Sequence, residues 1–144
     1  MRTYRLSLIK YYLLPFFLLF VGGGIYLLTR DKSLLMFNWV ENIGFYDELD
    51  VLRSHFPSYK IPEWIKYSLP SGLWSFSYII MMHLIWLDED RTKRLIWVLC
   101  LPVLAVFSEI FQIPGIIPGT FDMVDLLCYI IPIILYLYYE NFKN

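Results

Sequence analysis

The chain predicts an all-α integral membrane protein with four transmembrane helices and a helical extracytoplasmic loop between the first two. Three observations carry this. Mean hydropathy is +0.55 over 144 residues, too apolar for a soluble domain of this size, whose surface must be largely polar. The apolar residues fall into four runs of 17 to 19 residues, enough at 1.5 Å per residue to cross a hydrocarbon core of about 30 Å. Tyr, Phe and Trp make up 19% of the chain and gather near the ends of those runs, where amphipathic rings favour the headgroup region.

Span 1 is 11–29, an uncharged stretch that follows Arg2, Arg5 and Lys10 and stops before Arg30-Asp31-Lys32. It is too long for a signal-peptide core and lacks a small-residue cleavage site after it. Gly22-Gly23-Gly24 inside it suits close helix approach or a hinge.

The loop subdomain, 30–68, predicts two interfacial helices. Ser33 can cap a helix through Ile43 that places Leu35, Trp39 and Ile43 on one face, with Gly44 beyond its end. A second amphipathic segment runs from Asp47 to Phe56, before Pro57. The stretch from Ile61 to Tyr67 is a Pro-initiated turn on the headgroups with Trp64 as its anchor. These pieces either pack across the mouth of the bundle or form a lid.

Span 2 is 69–87, span 3 is 95–113 and span 4 is 123–139, the last interrupted by Asp125 and Pro132. The whole chain, 1–144, is therefore one membrane domain. Basic residues sit at the amino terminus, in the 88–94 turn (Arg91, Lys93, Arg94) and at Lys143, while the 113–122 turn has none. The first loop carries five basic residues, diluted over its length and balanced by six acids. The positive-inside rule then puts both termini in the cytoplasm of a plasma membrane. A net charge of −1, with basic residues in these short clusters, excludes a nucleic-acid footprint.

The chemistry gathers at one boundary. Glu109 and Gln112 end span 3, Asp122 and Asp125 begin span 4, and the intervening turn is uncharged. Glu109 and Asp125 share a depth of roughly 3–6 Å below the outer ends of their helices. Carboxylates at that level require partners, protons or an ion. Span 2 begins at the same level, so Ser71 and Trp74 can form a third wall, and Thr120 adds a hydroxyl from the turn. Asp122 can cap span 4 with Asp125 at the third position, or Thr120 can be the cap, and either carboxylate suits a helix start. Glu109 lies near a helix end that disfavours an anion, so helix electrostatics do not account for it.

No cofactor is predicted. If an ion is held, Glu109, Asp122 and Asp125 offer hard oxygens suited to Ca²⁺, Mg²⁺ or Na⁺. An acid–base pair acting on a lipid-linked substrate is an alternative use of the same groups. No nucleophile with its base, phosphate loop or zinc motif occurs, so no enzyme class follows and binding is favoured over catalysis. His83 lies on the order of 15–20 Å from the carboxylates and is expected to be a satisfied interfacial residue. Cys100 and Cys128 are too far apart for a disulfide and are expected to be small buried apolar residues.

The segment Ser108-Glu109-Ile110-Phe111-Gln112, followed by Asp122-Met123-Val124-Asp125, resembles the VanZ-like family of small multi-pass bacterial membrane proteins, with E-x-x-Q closing one helix and D-x-x-D opening the next. The likeness covers the last third of the chain. It departs where the family usually has an arginine three residues before the first aspartate, here Gly119, and where an asparagine usually follows the second, here Tyr129. The resemblance implies a cell-envelope protein of the bacterial inner membrane, in a family whose founding role is linked to teicoplanin-type glycopeptide resistance. Partners expected on this reading are the lipid bilayer, a polar or cationic ligand or lipid headgroup at the cluster, and a lipid-linked envelope precursor or a partner membrane protein. The alternative is a small homo-oligomeric subunit or pore assembled through the Gly22–Gly24 face and the loop.

Overall fold

A computed structural model describes residues 2–56 and 61–142, with side chains from residue 12 onward. All regular structure among these residues is helical: α1 (Arg2–Thr29), α2 (Leu35–Asn42), α3 (Tyr46–His55), α4 (Glu63–Tyr67), α5 (Leu69–Ile85), α6 (Arg91–Gln112) and α7 (Met123–Phe142). The side chains of Arg2, Arg5 and Lys10, together with Pro57 and Lys143, lie outside the described residues.

Three helices are long and apolar enough to cross a membrane by length and composition: α1 over Tyr12–Thr29, α6 and α7. The predicted second span is shorter than expected. α5 has 17 residues because the chain leaves the helix at Trp86, not Leu87. Each of the other long helices extends beyond its predicted span at one end. Asp90 caps α6 by accepting the Lys93 N–H at 3.1 Å, so Arg91, Lys93 and Arg94, predicted to lie in the turn, form the first helical turn. α7 runs unbroken through Pro132 to Phe142.

α5 is the central helix, packed against α1, α6 and α7. It runs antiparallel to α1, as Trp74 meets Gly22 while Ser77 donates to the Pro15 carbonyl at 2.7 Å. It runs parallel to α7, where Gly72 lies against Cys128 and His83 against Tyr136. A Cβ on Gly22 would lie 2.7 Å from Trp74 Nε1 and one on Gly72 would lie 3.1 Å from Cys128 Cβ, so both helix pairs approach through glycine.

The distribution of polarity is reversed relative to a soluble bundle. Leu13, Phe16, Phe17, Phe20, Leu104 and Ile134 are exposed, while Glu109 and Glu140 are buried. The apolar core is a small cluster of Ile79, Val98 and Tyr136 between α5, α6 and α7. Apolar faces turned outward on all three long helices fit hydrocarbon surroundings, where association is driven by packing and hydrogen bonds.

The loop helices differ in detail from expectation. α2 starts at Leu35 with Leu34 in the cap position, and Ser33 is no cap: its N–H is held by Asp31 Oδ1 at 2.8 Å. Leu35, Trp39 and Ile43 face outward, and Phe37 is the buried residue at 1% exposure. The Arg53 guanidinium lies over the Phe37 ring, 5.1 Å from its centroid, so α2 docks by Phe37 rather than by its apolar stripe. Gly44 does end the helix, with φ +76° and hydrogen bonds from Gly44 N to Glu41 O (2.9 Å) and from Phe45 N to Val40 O (3.1 Å). α3 matches the second amphipathic segment within a residue. The stretch after Pro62 is one turn of helix, α4, with Trp64 exposed. Cys100 is exposed on α6, against expectation, and both cysteines are free.

Candidate functional site

α6 ends and α7 begins at the same end of the bundle, bringing Glu109, Gln112, Asp122 and Asp125 together. Glu109 is 7% exposed, and its Oε1 lies 3.5 Å from the Gln112 Nε2 donor. Its environment includes the Asp122 backbone N–H and the Asp125 carboxylate. Glu109 Oε2 and Asp125 Oδ1 are buried and have no hydrogen-bond partner among the described residues. Two carboxylate oxygens on adjacent helices are thus withheld from water without a donor. Such atoms are costly unless a proton, a donor group or a cation completes them.

The four residues do not act alike. Asp122 Oδ1 accepts the Val124 N–H at 2.7 Å, so Asp122 is the N-cap of α7 and is exposed. Thr120 is exposed in the turn. Gln112 is held by Gly119: a Cβ there would lie 2.8 Å from Gln112 Cδ, and Gly119 has φ +144°. Any side chain at this position would therefore displace the Gln112 amide from its place beside the carboxylates.

α5 contributes less uniformly than expected. Ser71 lies beside the Tyr129 phenol, whose surroundings include the Asp125 and Glu109 carboxylates, so it joins the cluster through Tyr129. Trp74 turns the other way. Its ring packs on Tyr26 of α1, centroids 5.6 Å apart, and its buried Nε1 has no acceptor among the described residues. No group of three His, Cys, Asp or Glu side chains among the described residues is arranged to hold a metal ion. The arrangement is two inward-facing acceptors flanked by an amide and a phenol. It can receive an N–H or O–H donor or a monovalent cation.

A second polar group at the opposite end was missed from the sequence. Glu140, 1% exposed, accepts from Arg94 Nη2 at 3.1 Å and from the Tyr136 hydroxyl at 3.3 Å. His83 Nδ1 lies 3.1 Å from the same hydroxyl and 3.4 Å from Glu140 Oε1. His83 is therefore embedded in a buried network rather than interfacial. Arg94 Nη1 also donates to the carbonyls of Leu87 and Glu89, tying the α5–α6 turn to this network. The signal was available: Arg94 opens one helix of an antiparallel pair and Glu140 closes the other, at one depth. An apolar cavity of about 310 Å³ beside it is bordered by Leu14, Ile80, His83, Leu135 and Tyr139.

Comparison with protein-family models, curated proteins and solved structures finds no match for this chain.

Proposed function

We propose that this chain is a four-span envelope protein of the bacterial inner membrane, with both termini cytoplasmic. It binds a cationic or donor-rich ligand, such as an amine-bearing lipid headgroup, between Glu109, Gln112 and Asp125. The observation that carries the reading is the pair of buried carboxylate oxygens, one on each of two adjacent helices, that have no donor among the described residues. α5 serves as the fourth span because it packs on all three longer helices and its composition is apolar. The E-x-x-Q and D-x-x-D resemblance to the VanZ-like family lends support, with Asp122 assigned to structure and Gly119 replacing the arginine.

The test uses purified full chain in detergent micelles with phosphatidylethanolamine as the amine probe and phosphatidylcholine as competitor. Glu109→Gln should lower binding of the amine lipid roughly tenfold, the equivalent of one charged hydrogen bond, at normal membrane abundance. Asp122→Asn should leave binding intact. Unchanged binding by Glu109→Gln refutes the reading.

A second reading, assembly through α1, has one observation in its favour. Only Gly22 of the glycine triplet is used inside the bundle; a Cβ on Gly24 meets nothing within 4 Å, and Gly23 and Gly24 border an apolar groove of about 680 Å³. Gly23→Leu should abolish a detergent-stable oligomer on this account and leave the amine probe bound.

A further inference from the structure

At the same end of the bundle as the carboxylates, but on the side of α1, lies a cavity of about 390 Å³ of opposite character. Arg30, Arg53 and Lys66 border it, with Asp31 as its one carboxylate and Tyr67 as its aromatic wall. The charges around it divide by task. Lys32, nearby but not lining it, is paired with Asp50. Arg53 closes the carboxyl end of α1, donating to the Leu27 carbonyl and, at 2.8 Å, to the Arg30 carbonyl. The Asp31 carboxylate is held by the Ser33 N–H.

Arg30 and Lys66 have no carboxylate partner among the described residues. They are positioned by rings instead. The Arg30 guanidinium lies 4.8 Å from the Tyr67 ring centroid and 5.4 Å from that of Tyr26, and Lys66 Nζ lies 4.9 Å from the Tyr67 centroid. Stacking on two tyrosines fixes the plane of the guanidinium while leaving its edge available. Arg30 Nε is buried and has no acceptor among the described residues. A planar fork and a point charge that both lie against one ring and border one cavity form a receptor for an oxyanion.

Depth decides which oxyanion. Arg30 directly follows α1, whose Tyr12–Thr29 segment has the length and composition to cross a bilayer. The cavity therefore opens at headgroup level, where phosphate groups are the concentrated anions.

We propose that the Arg30–Arg53–Lys66 cavity is a phosphate-binding site that holds the phosphate of an anionic lipid headgroup. Arg30 and Lys66 contact the phosphate, and Arg53 shapes the cavity and adds to its field. This site is independent of the carboxylate cluster, shares none of its residues, and takes a ligand group of the opposite charge.

The experiment uses full chain in detergent micelles. Retention of phosphatidylglycerol against phosphatidylcholine is measured by native mass spectrometry, and inorganic pyrophosphate is titrated by calorimetry as the soluble arm. Arg30→Gln and Lys66→Gln should each weaken phosphatidylglycerol binding several-fold, and together by roughly tenfold or more. Arg30→Lys, which keeps the charge but loses the stacked fork, should recover only part of it. Arg91→Gln, which removes the same charge at the other end beside Asn141, should have no effect. Thermal midpoints of all variants separate lost binding from lost folding. Binding of pyrophosphate but not of the lipid overturns the headgroup assignment and leaves a soluble phosphate compound as ligand. Lipid retention unchanged in the double variant, or lost equally in Arg91→Gln, overturns the site.

Discussion

Glu109 and Gly119 show how one side chain and one missing side chain define the carboxylate cluster. Glu109 is fixed by burial; Gly119 is fixed by what it leaves room for, the Gln112 amide at a distance no Cβ tolerates. Gly119→Ala should destabilise the protein by about 1–3 kcal/mol, from the strain of φ +144° and the displaced amide. Thermal unfolding in micelles measures this, and the same variant should bind the amine probe less tightly because Glu109 loses its oriented neighbour. Gln112→Ala should reproduce the second effect without the first. That Glu109 needs a special environment was legible in the sequence because its position at a helix end lacked any helix-based explanation, and it is buried beside the Gln112 amide. The splitting of Asp122 from Asp125 was not, because a capping aspartate and an inward-facing one have the same sequence pattern until backbone direction is known.

At the level of elements, the ends of helices were more legible than their faces. Thr29 before Arg30 and Gly44 after α2 mark ends through local chemistry, and the structure keeps both. The face by which α2 docks on the bundle was not legible: Phe37 is covered, while the Leu35–Trp39–Ile43 stripe faces outward. At a membrane surface, an apolar stripe has lipid as an alternative to protein, so hydrophobicity no longer reports which face is inside. The start of α6 was misplaced for a related reason: its charges were taken to mark the turn, yet Asp90 makes them helical. The Lys93 N–H holds the Asp90 carboxyl below its ordinary value of 3.8. A lowered folded-state value means the cap stabilises fully above the ordinary range and weakens as pH falls through the folded-state value. Asp90→Ala should therefore be less stable than wild type at neutral pH, and the difference should shrink in acid when unfolding is followed across pH. The Arg94–Glu140 pair joins residues 46 apart and is a larger matter. Glu140→Gln should cost about 3–5 kcal/mol, as breaking a buried pair leaves an uncompensated charge, whereas exposed Glu89→Gln should have little effect in the same denaturation assay.

On the scale of the whole molecule, polar networks occupy both ends of the bundle and a thin apolar core of Ile79, Val98 and Tyr136 lies between them. The ends differ in kind. One is nearly closed, with Glu140, Arg94, Tyr136 and His83 bonded to one another and Arg94 Nε as its buried atom without a partner among the described residues; the other holds several acceptors and donors that are not satisfied internally. Substitutions of the charged residues at the first end should therefore reduce stability with little change in ligand binding, and those of Glu109 and Asp125 at the open end the reverse, a contrast read by measuring both quantities on one panel of variants. The shortness of the central helix has its own consequence for the surrounding lipid. At 1.5 Å per residue, α5 rises about 25 Å, below the roughly 30 Å of an average hydrocarbon core, while α6 rises about 33 Å. On the four-span reading proposed above, the half-buried face of α5 still meets lipid, and the mismatch falls on the bilayer, which must thin beside it or tilt the longer helices. The protein should thus be most stable in vesicles of short-chain phosphatidylcholine and lose stability as the chains lengthen. Membrane thickness itself then becomes a variable to which this fold responds.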